Sequence, residues 1–235
     1  MDYKRLYKLQ DSILERIGGK LNNMYLTGGT ALGRFYLDHR YSDDLDFFAN
    51  SDPDFDKKVA KIKEQIELHF ELPLDKRIVT SEFHRYWVRD DDVELKIEFV
   101  NDVKFYAGTV RKVHGIPIDN PGNILANKLT AITGRDEPKD MFDVIALSLS
   151  YSFDWDVIFD MSLQKANLSE AEVAKCLDSF NTVGFTDNLW LKQSINLNQW
   201  QDYLNVISKD FLLARTNSLG LGKQPILAVD PKRID

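Results

Sequence analysis

Two short motifs near the start of the chain have residue types and spacing that suit phosphate chemistry. Gly28-Gly29-Thr30 follows an apolar run, and Asp44-Leu45-Asp46 opens the next one. Because side chains alternate faces along a strand, Asp44 and Asp46 are expected side by side while Leu45 enters the core. Two neighbouring carboxylates repel each other unless a cation lies between them, and hard oxygen ligands favour Mg²⁺, with Mn²⁺ as the alternative. The pattern therefore predicts a divalent metal held by Asp44 and Asp46.

The glycine pair suits the triphosphate that magnesium accompanies. A Gly-Gly turn before a helix exposes backbone N–H groups and allows phosphate to approach closely, and the helix N-terminus adds a favourable potential. The Thr30 hydroxyl is a further donor. We therefore predict that Gly28, Gly29 and Thr30 bind the phosphates of a nucleoside triphosphate.

A third carboxylate would complete a two-metal site or accept a proton from an attacking hydroxyl, and it should come from a neighbouring strand. In the alternating segment 93–100, Glu94, Lys96 and Glu98 share one face. We predict Glu98 as the third metal ligand and catalytic carboxylate. The same alternation is also typical of any half-exposed strand, which leaves a solvated Glu98 as the other interpretation.

The composition indicates an ordinary globular protein. Hydrophobic residues make up 43% and charged residues 29% of the chain, and the net charge of −7 disfavours a generally basic, nucleic-acid-coating surface. No apolar stretch approaches the length of a membrane helix, and no secretory signal is present. Cys176 is the single cysteine. These features predict a cytoplasmic protein with no membrane partner.

The order of predicted elements is strand, glycine turn and helix, followed by a mixed sheet and then by helices. Strands are expected at 24–27, 45–49, 74–80, 85–89, 93–100 and 104–113. Helices are expected at 6–17, 30–38, 54–70, 121–133, 138–150, 154–164, 168–180 and 197–214, with a loose tail from residue 217. The predicted organisation is an α+β domain over 1–118 and a mainly helical domain over 119–235.

The segments 25–32 and 39–48, read as YLTGGTAL and HRYSDDLDFF, resemble the AbiEii/AbiGii family of nucleotidyltransferase toxins, within the polymerase-β-like nucleotidyltransferase superfamily. The family's later lysine and basic-acidic segment resemble Asn127-Lys128-Leu129, Arg135 and the segment 138–143. The resemblance extends over about residues 1–150. It implies a polymerase-β-like mixed sheet with flanking helices, followed by a helical domain.

The resemblance also implies roles for individual residues. Lys128 would contact the triphosphate and offset charge in the transition state, and Asp140 would complete the site or orient Lys128. Arg40 and Ser42 would either bind phosphate or brace the loop before Asp44. Glu98 departs from the family pattern, in which aspartate is more usual at the third acidic position.

These observations predict a metal-dependent nucleotidyltransferase that moves a nucleotide from a triphosphate to a hydroxyl and releases pyrophosphate. The resemblance implies a toxin of a toxin–antitoxin pair that acts on RNA, with a tRNA end as the acceptor and a cognate antitoxin as a partner. Two alternatives remain open. One is nucleotidylation of a small molecule such as an antibiotic, and the other is a nucleotide- or partner-binding module without catalysis.

Overall fold

The structure, a computed structural model, describes residues 2–186 and 188–234. The strands are β1 (Met24–Thr27), β2 (Asp44–Asn50), β3 (Ile78–Val79), β4 (Phe83–Asp90), β5 (Val93–Asp102), β6 (Arg111–Val113) and β7 (Ile116–Ile118). The α-helices are α1 (Tyr3–Ile17), α2 (Gly28–Leu32), α3 (Phe55–Glu67), α4 (Pro121–Gly134), α5 (Pro138–Ser150), α6 (Trp155–Leu163), α7 (Glu170–Ser179) and α8 (Leu197–Leu212).

All the described strands form one mixed sheet in the order β3-β4-β5-β2-β1-β7-β6. β2 lies at its centre, antiparallel to β1 and parallel to β5. Leu45, Phe47 and Ile97 are fully buried on one face of these strands, so the polar residues that alternate with them lie on the other face. This face carries the candidate site.

Helix α1 covers the apolar side and reaches the loop that leads into β2. Its apolar stripe of Leu6, Leu9, Ile13 and Ile17 is buried, as the helical spacing predicts. The buried Gln10 Nε2 on the same helix donates to the backbone carbonyl of Ser42 at 3.1 Å. The helix therefore fixes the backbone just before the two aspartates.

The helical half shares its hydrophobic core with the sheet, since one cluster of buried side chains contains residues from both. Helix α4 begins as its sequence predicts: the Asn120 side chain accepts from the N–H of Asn123, and Pro121 takes the first helical position. The α+β fold class is confirmed, whereas the division into domains at residue 118 remains a prediction. Within the described residues, no helix has the length and hydrophobicity that a transmembrane segment requires.

Two predicted strands are largely wrong. Only 78–79 of the expected strand 74–80 pairs with β4, because 74–76 form a short 3-10 turn. Of 104–113 only Arg111–Val113 is a strand, and its partner β7 was not predicted. The aromatic residues of 104–113 suggested a strand, but Tyr106 instead packs edge-on against Tyr25 with ring centroids 5.0 Å apart.

The predicted helix 30–38 is split, and the predicted loose tail is packed. Gly28–Leu32 is α-helical, and Gly33–Leu37 continues as a π-helix. In the tail, Asn217 is fully buried and its Nδ2 donates to the carbonyls of Ser148 at 2.7 Å and Tyr151 at 2.8 Å. Glycines and prolines do prevent long helices there, but hydrogen bonds and a buried Ile226 hold the segment in place.

Residues 232–234 bind the end of the π-helix, and we name them the strap. The Lys232 N–H donates to the Phe35 carbonyl at 3.0 Å, and the Ile234 N–H donates to the Arg34 carbonyl at 2.8 Å. The Arg233 guanidinium pairs with Asp11 on α1. Carbonyls at the end of a helix have no partner within it. The strap therefore supplies the missing donors to the helix that follows the Gly28-Gly29 turn.

Replacement of Lys232 by proline is expected to lower the free energy of unfolding by about 1 kcal/mol, because proline removes the N–H that binds the Phe35 carbonyl. Lys232→Ala is the matched control, since it shortens the same side chain but keeps the N–H, and it should change stability by less than about 0.5 kcal/mol. Urea denaturation of the two variants measures the difference. Equal losses would show that the backbone hydrogen bond contributes nothing.

Candidate active site

The two aspartates of β2 lie together on the polar face of the sheet, as the strand periodicity predicts. Asp46 lies opposite Thr27 of β1 on one side and opposite Glu98 of β5 on the other, and Asp44 lies opposite Lys96. Residues in register on adjacent strands point to the same face. The structure therefore brings Asp44, Asp46 and Glu98 into one electrostatic group.

Asp46 is the least satisfied carboxylate of this group. Its Oδ1 is buried and has no hydrogen-bond partner among the described residues. Burial raises the pKa of Asp46 well above its usual value, and the charges of Asp44 and Glu98 raise it further. A buried acceptor without a donor is rare in folded proteins, and a bound cation would relieve both problems.

The Gly28-Gly29 turn is built directly against these aspartates. Gly28 has φ +69°, and a Cβ on it would lie 2.8 Å from Asp46 Oδ2, so both the conformation and the close approach require glycine. The Thr30 hydroxyl donates to the Asp44 carbonyl at 2.5 Å. Thr30 thus ties the turn to β2, and this bond occupies the hydroxyl that the sequence assigned to phosphate.

Glu98 lies where the sequence predicts, but it is already paired. Its Oε1 accepts from Arg85 Nε at 2.5 Å and lies 3.4 Å from Lys96 Nζ. Lys96 Nζ also lies 3.3 Å from Asp44 Oδ2. A lysine ammonium therefore bridges two of the three predicted metal ligands, and the role of Glu98 in metal binding remains a prediction.

Arg40 does not face open solvent, because it is buried in a bidentate pair with Asp143 of α5. Arg40 Nε donates to Asp143 Oδ1 and Arg40 Nη2 donates to Asp143 Oδ2, both at 2.7 Å. His39 Nε2 lies 2.7 Å from the same carboxylate. Of the two roles considered for Arg40, bracing the loop before Asp44 is the one that these contacts serve.

Ser42 lies closer to the aspartates. Its hydroxyl donates to Asp44 Oδ1 at 3.3 Å, and its backbone N–H donates to the Tyr7 hydroxyl at 3.2 Å. The side chain thus contacts a predicted metal ligand, while the backbone is held by α1. Ser42 orients Asp44 in this arrangement, and phosphate binding by Ser42 remains a prediction.

Lys128 and Asp140 form one buried network with Asp143. Lys128 Nζ lies 2.6 Å from Asp140 Oδ1 and 2.6 Å from Asp143 Oδ2. Asp140 also accepts from Arg135 Nε at 2.7 Å. Burial alone would raise the pKa of Asp143. The charges of Arg40 and Lys128 outweigh this effect and hold that pKa well below its usual value. Asp140 thus contacts Lys128 directly. The role of Asp140 in the site and the contact of Lys128 with the triphosphate remain predictions.

Sequence reasoning did not predict the pairing partners of four residues of this arrangement: Asp143, Arg135, Lys96 and Arg85. Asp143 lies one helical turn after Asp140, a spacing that is also common on an ordinary helix surface. Its partner Arg40 is 103 positions away in the chain. Lys96 was seen to share a face with Glu98, but the register that places it on Asp44 depends on β2–β5 pairing. Only the three-dimensional structure supplies these partners.

The donor set fits a divalent cation in part. The orphaned Asp46 oxygen, together with the adjacent Asp44 carboxylate, has the hard, anionic chemistry that Mg²⁺ requires. In the described part of the chain, however, no three His, Cys, Asp or Glu side chains converge as a metal-binding group. Two carboxylates plus substrate phosphates are a usual magnesium environment. Asp44 and Asp46 are therefore the residues that would hold the ion.

Comparison with known proteins decides the family. The family model described as "Nucleotidyl transferase AbiEii toxin, Type IV TA system" matches residues 12–217. The chain belongs to the AbiEii family of nucleotidyltransferase toxins. As a member it is a nucleotidyltransferase, and its family implies a nucleoside triphosphate as substrate and an antitoxin as partner.

Solved structures show the same fold. JHP933 from Helicobacter pylori is 23% identical, with 90% of this chain and 92% of that chain covered and a TM-score of 0.61. An H. pylori protein described as a "putative nucleotidyltransferase" is 22% identical, with 90% of this chain and 95% of that chain covered and a TM-score of 0.64. MenT4, a nucleotidyltransferase toxin from Mycobacterium tuberculosis, is 16% identical, with 90% of this chain and 84% of that chain covered and a TM-score of 0.59. The comparison with curated proteins gives no match.

Proposed function

We propose that this AbiEii-family chain transfers a nucleotide from a nucleoside triphosphate to a hydroxyl of RNA, with a tRNA end as the acceptor, and that the reaction depends on Mg²⁺. The observation that carries the proposal is the buried Asp46 carboxylate beside Asp44. Its Oδ1 has no hydrogen-bond partner among the described residues, and its Oδ2 lies against the Gly28 turn. A cation bound at this oxygen would satisfy an acceptor that the described residues leave without a donor.

The proposed step is a displacement at the α-phosphorus. The acceptor hydroxyl oxygen forms a bond to this phosphorus, the bond to the bridging oxygen breaks, and pyrophosphate leaves with its electron pair. The hydroxyl proton passes to a carboxylate of the site, for which Glu98 is our candidate. A magnesium ion held by Asp44 and Asp46 would supply charge stabilisation on the phosphate oxygens.

The surrounding residues position the substrates. The Gly28-Gly29 turn offers backbone N–H groups at a place where phosphate can approach closely. Ser42 and Thr30 hold Asp44 in place through its side chain and its carbonyl. The Lys128–Asp140–Asp143 network links α4 to α5. Arg40 joins it to the loop before β2, so its positive charges would stabilise the negative charge of the transferring phosphate.

Incubation with each labelled triphosphate, Mg²⁺ and total RNA tests the proposal. RNA is expected to gain label from one or more triphosphates, with one pyrophosphate released per nucleotide transferred, and EDTA should stop the reaction. A parallel reaction with an aminoglycoside in place of RNA examines the small-molecule alternative. Label on the drug but not on RNA would contradict RNA as the acceptor. Turnover unchanged by EDTA would contradict the dependence on Mg²⁺.

A further inference from the structure

A pocket of about 650 Å³ lies between the α4–α5 turn and helix α7, next to the candidate site. Small-molecule sites usually occupy about 300–1,000 Å³ and combine apolar walls with a few polar groups. Ile132, Met141 and Phe180 are among its apolar lining residues, and Arg135 and Asp136 are among its charged ones. Its size and chemistry suit one planar ring with a polar edge.

Arg135 connects this pocket to the carboxylates. It lines the pocket, and its side chain remains 62% exposed although Nε donates to Asp140. The hydrogen bond with Asp140 raises the pKa of Arg135 most, and the charge of Asp46 also raises it. Its guanidinium therefore lies at the pocket and binds Asp140, with donors left for a phosphate.

The remaining charge around the opening is acidic. Asp136 and Glu137 are exposed residues of the lining. The guanidinium of Arg135 is the cationic group of this lining that can pair with a phosphate. Carboxylates also accept hydrogen bonds from exocyclic amino groups such as those of adenine, guanine and cytosine.

We propose that this pocket binds one nucleoside of the reaction, with its base against Ile132, Met141 and Phe180 and its phosphate at Arg135. The inference rests on the proposed function and extends it to a subsite. The nucleoside comes either from the triphosphate or from the end of the RNA acceptor. Both carry the same ring and phosphate chemistry, and the experiment separates them.

Cys176 lines the pocket and is the single cysteine of the chain, so it reports on occupancy without any requirement for turnover. The rate of its modification by a maleimide is measured alone, with each nucleoside triphosphate and Mg²⁺, and with a short RNA that has a free 3′ hydroxyl. We expect one of these two substrate classes to slow the modification severalfold. The protecting class identifies which substrate supplies the nucleoside.

A pocket-filling substitution gives a second readout. Ser179 lies one helical turn from Cys176 and lines the pocket, whereas Ala171 is exposed on the same helix and does not. Ser179→Trp is expected to raise KM for the protecting substrate about tenfold or more, equivalent to about 1.4 kcal/mol of binding energy. Ala171→Trp should leave KM unchanged. If Ser179→Trp does not fold, protection of Cys176 in the unmodified sequence still decides the question.

The outcomes separate the pocket from the proposed function. Label transfer to RNA without any protection of Cys176 would overturn the pocket assignment alone, as would an unchanged KM for both substrates in folded Ser179→Trp. Protection of Cys176 by either class without label transfer to any acceptor would support the pocket and contradict the proposed reaction.

Discussion

Asp46→Asn is expected to reduce the rate of nucleotide transfer at least about 100-fold while leaving the fold intact. Loss of a metal ligand removes several kcal/mol of charge stabilisation, and each 1.36 kcal/mol is a factor of ten in rate. The control is Asp160→Asn, since Asp160 is an exposed aspartate on α6. A variant that retains more than a tenth of the wild-type rate would contradict the assigned role of Asp46.

The same substitution should stabilise the metal-free protein at neutral pH. The pKa of Asp46 lies well above the ordinary aspartate value of 3.8, so between these two values the folded state keeps a proton that the unfolded state has lost. The contribution of this group to stability therefore falls as the pH rises through that range. Asparagine does not ionise, so the variant does not lose stability as the pH rises through this range.

Thermal melting with and without Mg²⁺ measures both effects. Mg²⁺ should raise the melting temperature of the wild type, because a ligand that binds only the folded state stabilises it. It should change the melting temperature of Asp46→Asn little. If Mg²⁺ raised the melting temperature of both proteins equally, the ion would not be bound by Asp46.

Asp143→Asn is expected to give the largest loss of stability, about 3–5 kcal/mol, because it leaves buried positive charges without their partner. Arg40 and Lys128 both pair with this carboxylate, and Asp143 is fully buried. Whole domains have a free energy of unfolding of only about 5–15 kcal/mol. The variant should therefore be close to unfolding at physiological temperature.

Urea denaturation at several pH values tests this prediction. The folded pKa of Asp143 is well below 3.8, so its contribution is fully present above about pH 4 and is lost as the pH falls toward the folded pKa. The difference between wild type and Asp143→Asn should hence shrink in acid. Asp160→Asn again serves as the control. A loss below about 1 kcal/mol at pH 7 would show that the network is not a stabilising unit.

The sequence was informative where chemistry depends on neighbours in the chain. Asp44 and Asp46 are two positions apart in a strand, so their shared face follows from the alternation of side chains alone. The glycine at position 28 likewise follows from its position in a tight turn before a helix. These local rules predicted the carboxylate pair, the turn and most helices within a few residues.

What the sequence could not supply was pairing over long distances. Glu98 was predicted to lie on a strand next to the aspartates, but its position opposite Asp46 and its pairing with Arg85 depend on the registers of β5 against β2 and β4. The role of Asp143 depends on a loop from the first half of the chain packing against α5. The π-helix and the packed tail were missed because their hydrogen bonds also come from distant segments.

The strap affects the order in which the protein can fold. Arg233 and Asp11 are 222 positions apart, so this contact closes a loop of nearly the whole chain. Closing a long loop is entropically unfavourable, and such contacts are established slowly. The helix that follows the Gly28-Gly29 turn should therefore acquire its final hydrogen bonds late in folding.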